Sequence, residues 1–229
     1  SFAGMGDFRL PDELMEETLG IEIVDYDFTK ALALMESISE EEIEKEWKKD
    51  CTACLCQDLS YQVYKGSAKV DLAMRKWIRE NELSAFTVNF LVTDHNPALP
   101  RMPFMEACKS MAQGIGYAGE GDVLTAAFVS ALMKGFRDTT FAEMFCPDWE
   151  GNTVFLSHMG EYNIRLSAEK PLLTELDFPY TSAENPAGIY GCMREGRAAF
   201  VNLNPLSDGR YTLIAASGTM VEMKETGEA

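Results

Sequence analysis

The chain has 229 residues, of which 46% are hydrophobic, so a packed core is expected rather than wholesale disorder. Its 37 acidic residues outnumber its 20 lysines and arginines, and the net charge of −17 argues against a nucleic-acid partner because such a surface repels phosphate backbones. No run of the sequence approaches the roughly 18 apolar residues of a membrane-spanning helix, so no membrane partner is expected.

The first part of the chain alternates between helix and strand signals. In chain order the sequence predicts the end of a strand with a glycine turn (1–8), a helix (11–20), a strand (21–28), a helix (37–50), a long helix (57–80), a buried strand (84–92), a proline-rich loop (94–103), a helix (103–114), a strand (115–120) and a helix from about 123. This alternation is typical of a parallel sheet with helices on its faces.

Two helix boundaries are marked by specific residues. Pro11 stands near the start of the first helix, acidic residues fill its first turn, and Gly20 follows its end. Ser39 can cap the next predicted helix, and Glu42 lies three residues later, as a capping box requires. The acidic residues at this helix start are therefore predicted to be solvated and to need no ligand.

The pattern changes after about residue 138. From there the runs are strand-like and are separated by the turn signals "EG", "REG" and "SDG". We therefore predict an α/β fold in two domains. A parallel, doubly wound, Rossmann-like domain occupies residues 1–140, and a mostly antiparallel β domain occupies residues 141–229.

Three of the six cysteines cluster in the sequence "CTACLC", as Cys51, Cys54 and Cys56. A zinc site needs a second cluster or nearby histidines, whereas the two histidines, His95 and His158, lie far away in the sequence. We therefore predict buried free thiols and a reducing, cytoplasmic location. His95 lies in the proline-rich loop and either borders a substrate pocket or is exposed to solvent.

The stretch "GYAGEGDVLTAAFV" places Glu120 between two glycines at the end of a predicted strand. In open α/β sheets ligands bind beyond the carboxyl ends of the strands, and flanking glycines let a ligand approach the backbone closely. The alternative is that Asp122 caps the following helix and that Glu120 merely assists it. This stretch alone leaves both interpretations open.

Two later strands add polar groups in apolar surroundings. "TTFAEMF" places Glu143 among phenylalanine, alanine and methionine, and "TVFLSHMGE" places His158 in a strand of similar character. An unpaired buried carboxylate is expensive, although a single strand histidine is more often a satisfied core residue. Together, Glu120, Glu143 and His158 predict a metal site.

Several blocks of the sequence resemble the L-arabinose isomerase family. "GYAGEGDVLTAAFVSALM" resembles a signature in which a glycine-flanked Glu-Gly-Asp precedes a helix, and "FAEMF" followed by "EGNTVFLSHMGE" is similar to the next block. "VNF" and "LPRMPFMEACKSMAQG" are similar to the stretch that leads into the signature. The resemblance covers most of residues 1–165. L-Fucose isomerases share the architecture and are the close alternative.

The resemblance implies roles for three residues. Glu120 and Glu143 match glutamates that bind a divalent ion, usually Mn²⁺, and transfer the substrate protons, and His158 matches a metal-binding histidine. The implied reaction interconverts an aldose and a ketose, such as those of L-arabinose or L-fucose, through an enediol. The implied partners are a sugar and, in the full-length protein, further copies of the chain.

The sequence also departs from the family. Val123 stands where a tryptophan is usual, Met144 replaces an acidic residue, and "GEYN" replaces the residues after the His-Met pair. No histidine follows His158 in the 229 residues, whereas the resemblance implies a further histidine ligand, and we expect these residues to lack the family's amino-terminal domain. We therefore expect a middle and partial carboxyl-terminal piece of an isomerase that is inactive alone. The alternative is a non-catalytic sugar-binding or assembly homologue.

Overall fold

A computed structural model describes residues 10–221, so the strand end predicted over residues 1–8 lies outside the described part of the chain. The structure is a mixed α/β fold, as predicted, in which helices accompany several small sheets. The helices are α1 (Asp12–Leu19), α2 (Phe28–Glu36), α3 (Glu40–Ala53), α4 (Tyr61–Glu80), α5 (Phe104–Ala112) and α6 (Val123–Met133). Within residues 10–221, none of these helices is long and apolar enough to cross a membrane.

The strands form four small sheets within the described residues. They are β1 (Leu55–Cys56), β2 (Ala85–Val88), β3 (Gly116–Gly119), β4 (Glu143–Asp148), β5 (Thr153–Ser157), β6 (Leu172–Glu175), β7 (Ala187–Tyr190), β8 (Gly196–Pro205) and β9 (Tyr211–Met220). The later runs that the sequence predicted as strands therefore contain strands, joined near the predicted turn signals.

The capping residues set the helix boundaries as the sequence predicted. Helix α1 follows Pro11 and ends at Gly20, whose φ of 66° is the left-handed conformation usual after a helix. At the start of α3, the Ser39 hydroxyl accepts a hydrogen bond from the Glu42 amide at 3.2 Å, and the Ser39 amide donates to the Glu42 carboxylate at 2.8 Å. The predicted capping box is confirmed.

The strand predicted over residues 21–28 is wrong. Residues 21–27 belong to no strand, and helix α2, which the sequence analysis missed, begins at Phe28. The Asp27 carboxylate accepts hydrogen bonds from the amides of Thr29 at 2.9 Å and Lys30 at 3.3 Å, and it thereby caps this helix. The prediction failed because Asp27, which caps α2, lies at the end of an alternating apolar–polar run that is typical of a strand.

Strands β2 and β3 pair in parallel, with Ala85 opposite Gly116 and Val88 opposite Gly119. Helix α5 connects them, and helix α6 follows β3, so this unit has the predicted strand–helix–strand–helix order. Within the described residues this sheet contains only the two strands β2 and β3. The larger, doubly wound sheet therefore stays a prediction. The carboxyl ends of both strands lie at the same edge, where the candidate site is built.

The later strands are mostly antiparallel. Strands β4 and β5 form one hairpin-like pair with a bulge between Met144 and Cys146, and β8 and β9 form a long two-stranded ribbon. Strand β6 pairs antiparallel with β7 but parallel with β1, which lies early in the chain. One sheet thus combines strands from both sides of residue 140, and the domain boundary at that residue stays a prediction.

Two hydrophobic cores lie beneath these elements. The first core contains residues of α4, α5, α6, β2 and β3 together with Phe141 and Phe178, and the second contains Ile43, Cys54, Tyr64, Met105, Leu173 and Ile189. The second core joins α3, α4 and α5 to the β1–β6–β7 sheet.

An ion cluster, which we call the helix-interface cluster, connects α3, α4 and α5. Arg75 Nη2 lies 2.7 Å from both Glu46 Oε1 and Glu106 Oε2, and Lys109 Nζ lies 3.1 Å from Glu46 Oε1 and 2.6 Å from Asp50 Oδ2. The three carboxylates, the guanidinium and the amine are largely buried, so each charge needs its partners. The cluster therefore fixes the three helices relative to one another.

Candidate functional site

The turn between β3 and α6 carries Glu120. Glu120 and Gly121 both have positive φ, at 61° and 86°, and this pair of left-handed residues reverses the chain sharply at the end of the strand. Asp122 accepts hydrogen bonds from the Thr125 amide at 2.8 Å and the Thr125 hydroxyl at 2.6 Å. The Asp122 side chain therefore caps α6 by itself. This agrees with the alternative in which Asp122 is the cap, but Glu120 makes no cap hydrogen bond with Thr125.

Strand β2 holds this turn in place. The Thr87 hydroxyl accepts a hydrogen bond from the Gly121 amide at 3.0 Å and donates one to the Ala118 carbonyl at 2.7 Å. Because Thr87 lies in the strand next to β3, the two hydrogen bonds fix the turn to the edge of the sheet. Glu120 is thus presented by a defined backbone, although its φ is uncommon for a residue with a side chain.

His158 follows β5 and reaches the end of β3. A Cβ atom placed on Gly119 would lie 2.8 Å from His158 Cε1 and 3.1 Å from Nε2, so the ring rests directly on the glycine backbone. The Phe141 ring packs edge-to-face against the imidazole with the centroids 5.0 Å apart. Because only 13% of the His158 side chain is exposed, its two nitrogens need defined partners.

Glu161 and Glu143 lie on opposite sides of this imidazole. Glu161 is buried, its carboxylate contacts His158 Nδ1, and it also accepts a hydrogen bond from the Tyr117 hydroxyl. On the other side, His158 Nε2 lies 4.0 Å from Glu143 Oε2. The contact at Nδ1 is a charge contact that lacks hydrogen-bond geometry, and with the ring in this position Nε2 faces Glu143.

Glu143 is less enclosed than its sequence neighbours suggested. Its side chain is 37% exposed at the start of β4, and the following Met144 and Phe145 are 76% and 54% exposed. The expectation of an apolar environment around Glu143 is therefore wrong, because β4 pairs only with β5 within the described residues and leaves these side chains in solvent. His158, in contrast, is enclosed as expected.

The electrostatics couple the three predicted residues. Burial raises the pKa of Glu120, and the charges of Glu143 and Glu161 raise it further against the opposing effect of His158. Burial lowers the pKa of His158, but contact with Glu161 and the charges of Glu161, Glu143 and Glu120 outweigh it and raise the net value. Glu120 and His158 therefore influence each other's pKa, and both pKa values are raised by the charges of Glu143 and Glu161.

The donor chemistry fits a divalent cation, since two carboxylates and an imidazole are ligands that Mn²⁺ accepts. A carboxylate on the second nitrogen of a ligating histidine is also the usual supporting arrangement. Across residues 10–221, however, no group of three His, Cys, Asp or Glu side chains is gathered closely enough to hold an ion. The ligand and proton-transfer roles of Glu120, Glu143 and His158 therefore stay a prediction.

Sequence reasoning did not assign roles to Glu161, Tyr117 and Gly119. Glu161 stood inside the quoted "SHMGE" block, three residues after His158, and that spacing was the available signal. His95, in contrast, is exposed, and its amide donates to the Ser182 hydroxyl at 2.7 Å. Its exposure agrees with the solvent-exposed alternative.

Comparison with known proteins agrees with the resemblance to L-arabinose isomerases that the sequence analysis described. A sequence model described as "L-arabinose isomerase central domain" matches residues 14–136. L-Arabinose isomerase 1 of Bacillus licheniformis is 28% identical over 80% of this chain and 36% of its own length. The L-arabinose isomerases of Shouchella clausii and Salmonella typhi are 27% and 31% identical, over 72% and 65% of this chain and 34% and 30% of their own lengths. The chain spans about a third of the length of the curated relatives it matches.

Proposed function

Because the chain belongs to the L-arabinose isomerase family, we propose that it carries the metal-binding and proton-transfer groups of an aldose–ketose isomerase. The substrate in this proposal is an open-chain pentose or deoxyhexose such as L-arabinose or L-fucose. The observation that carries the proposal is the position of His158, which lies on Gly119 beside Glu120 and faces Glu143 at 4.0 Å.

In this proposal Glu120, Glu143 and His158 Nε2 hold one divalent cation, for which Mn²⁺ is the first choice. When bound, the cation would polarise the carbonyl and hydroxyl oxygens of the sugar. Glu161 would fix the ring and tautomer of His158 through Nδ1, and Tyr117 would hold Glu161 from behind. The buried contacts keep the imidazole aligned without help from the substrate.

The two glutamates would move the protons. One carboxylate takes the proton from C2 of the sugar while the carbonyl oxygen at C1 gains a proton, and an enediol forms. The proton then returns at C1 while the C2 hydroxyl loses its proton, which leaves the ketone at C2. The raised pKa of Glu120 suits this work, because a carboxyl group that is closer to neutrality can both accept and return a proton. Glu143 is half-exposed and stands on the opposite side of the imidazole from Glu161, where a sugar could enter.

We also propose the finer domain organisation and setting. A Rossmann-like, doubly wound domain would occupy residues 1–140, supported by the β2–α5–β3–α6 unit, and a β-rich domain residues 141–229, supported by the antiparallel pairs. The whole activity is proposed for a cytoplasmic homo-oligomer whose chains have the length of the relatives. The 229-residue chain alone would bind Mn²⁺ weakly, because three protein ligands leave about three positions of an octahedral ion to water.

A non-catalytic sugar-binding or assembly role is the second candidate. It is favoured by the absence, within residues 10–221, of a preformed group of three metal ligands, and by Val123 and Met144 at positions where the resemblance implies other residues. Such a protein would bind a sugar at the carboxyl ends of β2 and β3 but would not convert it to another sugar.

Manganese titration and an isomerase assay separate the two candidates. Calorimetry with MnCl₂ measures Mn²⁺ binding to the 229-residue chain and to a version extended to the relatives' length. Each protein is tested as wild type, as Glu143→Gln and as Glu44→Gln. Glu44 is exposed, so its substitution is the control. Each protein is then assayed on L-arabinose, L-fucose and other aldoses. We expect Mn²⁺-dependent ketose formation in the extended protein, its loss in Glu143→Gln and its retention in Glu44→Gln. Sugar binding without turnover in the extended protein would instead support the second candidate.

A further inference from the structure

Two thiols outside the candidate site lie almost in bonding contact. Cys51 Sγ and Cys56 Sγ are 3.0 Å apart, whereas a disulfide bond is about 2.05 Å long. Cys51 lies in the last turn of α3, and Cys56 is the last residue of β1. A total approach of about 1 Å between the two sulfur atoms would therefore join them.

The backbone holds both cysteines in this position. The Leu55 amide donates to the Pro171 carbonyl at 2.8 Å, and the Gln57 amide donates to the Leu173 carbonyl at 3.1 Å. These two hydrogen bonds flank Cys56 and fix it to strand β6, while helix α3 fixes Cys51. The contact between the thiols is thus a consequence of the helix-to-strand connection.

Exposure distinguishes the three cysteines of the "CTACLC" segment. Cys56 is exposed and Cys51 is half-buried, whereas Cys54 is 2% exposed and packs in the second core. The expectation that all three are buried thiols is therefore wrong for Cys56. A reagent in solution can reach Cys56 first and meets Cys51 next to it, while Cys54 faces the core.

We propose that Cys51 and Cys56 form a reversible dithiol–disulfide site that exchanges with low-molecular-weight disulfides. Cys56 loses its proton to solvent, and its thiolate attacks one sulfur of the small disulfide RSSR, which releases RS⁻ and leaves a mixed disulfide on Cys56. Cys51 then loses its proton and attacks the Cys56 sulfur, which expels the second RS⁻. Both RS⁻ groups take up protons, so two protein thiols are oxidised while RSSR is reduced to two RSH.

The order of attack follows from the surroundings of the two thiols. Burial raises the pKa of Cys51 to about 12, and contact with Cys56 and the charge of Asp50 act in the same direction against the nearby Lys170. Cys51 is therefore a poor nucleophile toward a small disulfide that arrives from solution. Once Cys56 carries a mixed disulfide, the short distance between the two sulfur atoms compensates for this, and Cys51 acts as the resolving thiol.

Zinc is a poor alternative for this pair. A structural zinc site requires four ligands, and no third His, Cys, Asp or Glu ligand joins the two thiols to form a metal-binding group anywhere in residues 10–221. Cys54, the nearest cysteine in the sequence, is committed to the second core. Two sulfur atoms at contact distance satisfy the requirement for a disulfide without a further partner.

The test uses the 229-residue protein in buffers with graded ratios of reduced to oxidised glutathione. Samples are quenched in acid, free thiols are alkylated, and tryptic peptides are analysed by mass spectrometry. Residues 50–65 lie in one such peptide. The exposed Cys146 and Cys192 serve as internal controls for reagent access. Wild type is compared with Cys51→Ser and with the matched control Cys54→Ser.

We expect wild type and Cys54→Ser to lose alkylation at Cys51 and Cys56 together, to retain no glutathione there, and to recover both thiols on reduction. Cys51→Ser should accumulate the mixed disulfide on Cys56, because the resolving thiol is absent. The proposal is overturned if wild type accumulates the same mixed disulfide as Cys51→Ser. It is equally overturned if the linked pair includes Cys54, or if Cys146 and Cys192 react while Cys51 and Cys56 stay reduced.

Discussion

The imidazole ring of His158 rests on the backbone of Gly119, the residue directly before Glu120. This contact joins the end of β3 to the segment after β5, although the two are about forty residues apart in the sequence. It brings an imidazole to the carboxyl end of a parallel strand pair, where α/β folds place their ligands. The absence of a side chain at Gly119 is therefore a condition for the site.

The first prediction concerns this contact. In Gly119→Ala the added Cβ would stand 2.8 Å from His158 Cε1 and 3.3 Å from Glu161 Oε2, and the ring must move away. We expect a loss of about 1–3 kcal/mol in the free energy of unfolding, as for other overpacked interiors, and weaker Mn²⁺ binding. Urea unfolding and manganese titration measure the two effects.

Gly135→Ala is the matched control, since its added Cβ would meet nothing closer than the Leu132 carbonyl at 4.0 Å. Equal Mn²⁺ affinity in Gly119→Ala and Gly135→Ala would show that the ring position is irrelevant to the metal.

The second prediction concerns Glu161. Glu161→Gln keeps the size of the side chain but removes the negative charge from His158 Nδ1. Since that contact and charge help to raise the pKa of His158, we expect the pKa to fall in the variant. The sequence has two histidines, so NMR titration follows His158 with the exposed His95 as an internal reference. Unchanged titration of His158 would remove Glu161 from its supporting role.

The third prediction separates Glu120 from Asp122. Asp122→Ala removes the cap of α6 and should cost about 0.5–2 kcal/mol of stability with little effect on Mn²⁺ affinity. Glu120→Gln should weaken Mn²⁺ binding with little effect on stability, because Glu120 makes no part of the cap. Urea unfolding and calorimetry on the same two variants test both halves. The reverse pattern would favour the interpretation in which Glu120 only assists the helix.

The fourth prediction concerns pH and the helix-interface cluster. Burial raises the pKa of Glu46, but Arg75 and Lys109 outweigh it and hold the folded-state pKa far below the ordinary value of 4.5. A depressed folded-state pKa stabilises the protein above the unfolded-state value, and that stabilisation is lost as the pH falls below about 4.5. We expect Glu46→Gln to cost about 1–3 kcal/mol at neutral pH and progressively less in acid.

Urea unfolding at neutral pH and at acid pH tests this dependence, and Glu44→Gln on the exposed face of the same helix is the control. A constant difference between Glu46→Gln and wild type across the pH range would contradict the assigned role of the charge.

Local signals made part of this structure predictable. Ser39, Asp122 and Gly20 act through their own backbone neighbours, so a single sequence window contains the whole cause. The stretch before α2 failed because an alternating pattern and a helix cap overlap at Asp27. The exposure of Met144 and Phe145 depends on which strands pair, and that information lies far from β4 in the sequence.

Prediction of the candidate site has the same limit, because contacts between distant segments are not visible in a local stretch of sequence. Glu120 could be selected because glycines flank it at the end of a predicted strand, and Glu143 and His158 because each is a polar residue in an apolar run. Glu161 lies three residues after His158, but that spacing does not show that its carboxylate contacts His158 Nδ1, which depends on the direction of the buried ring. The contact with Gly119 is likewise a property of two segments that meet in space.

The ribbon of β8 and β9 has a consequence for the dynamics of the chain. Its ten paired positions form a two-stranded sheet, and the neighbouring Leu213 and Ile214, which point to opposite faces, are 58% and 53% exposed. Besides its own ladder the ribbon contacts α6 and shares a hydrogen bond at 3.0 Å between the Tyr211 and Thr18 hydroxyls. Neither strand contributes a residue to the two buried cores, so the ribbon can open without disrupting them. Its amide hydrogens should exchange with deuterium well before those of Tyr117 and Ala118 in the buried strand β3.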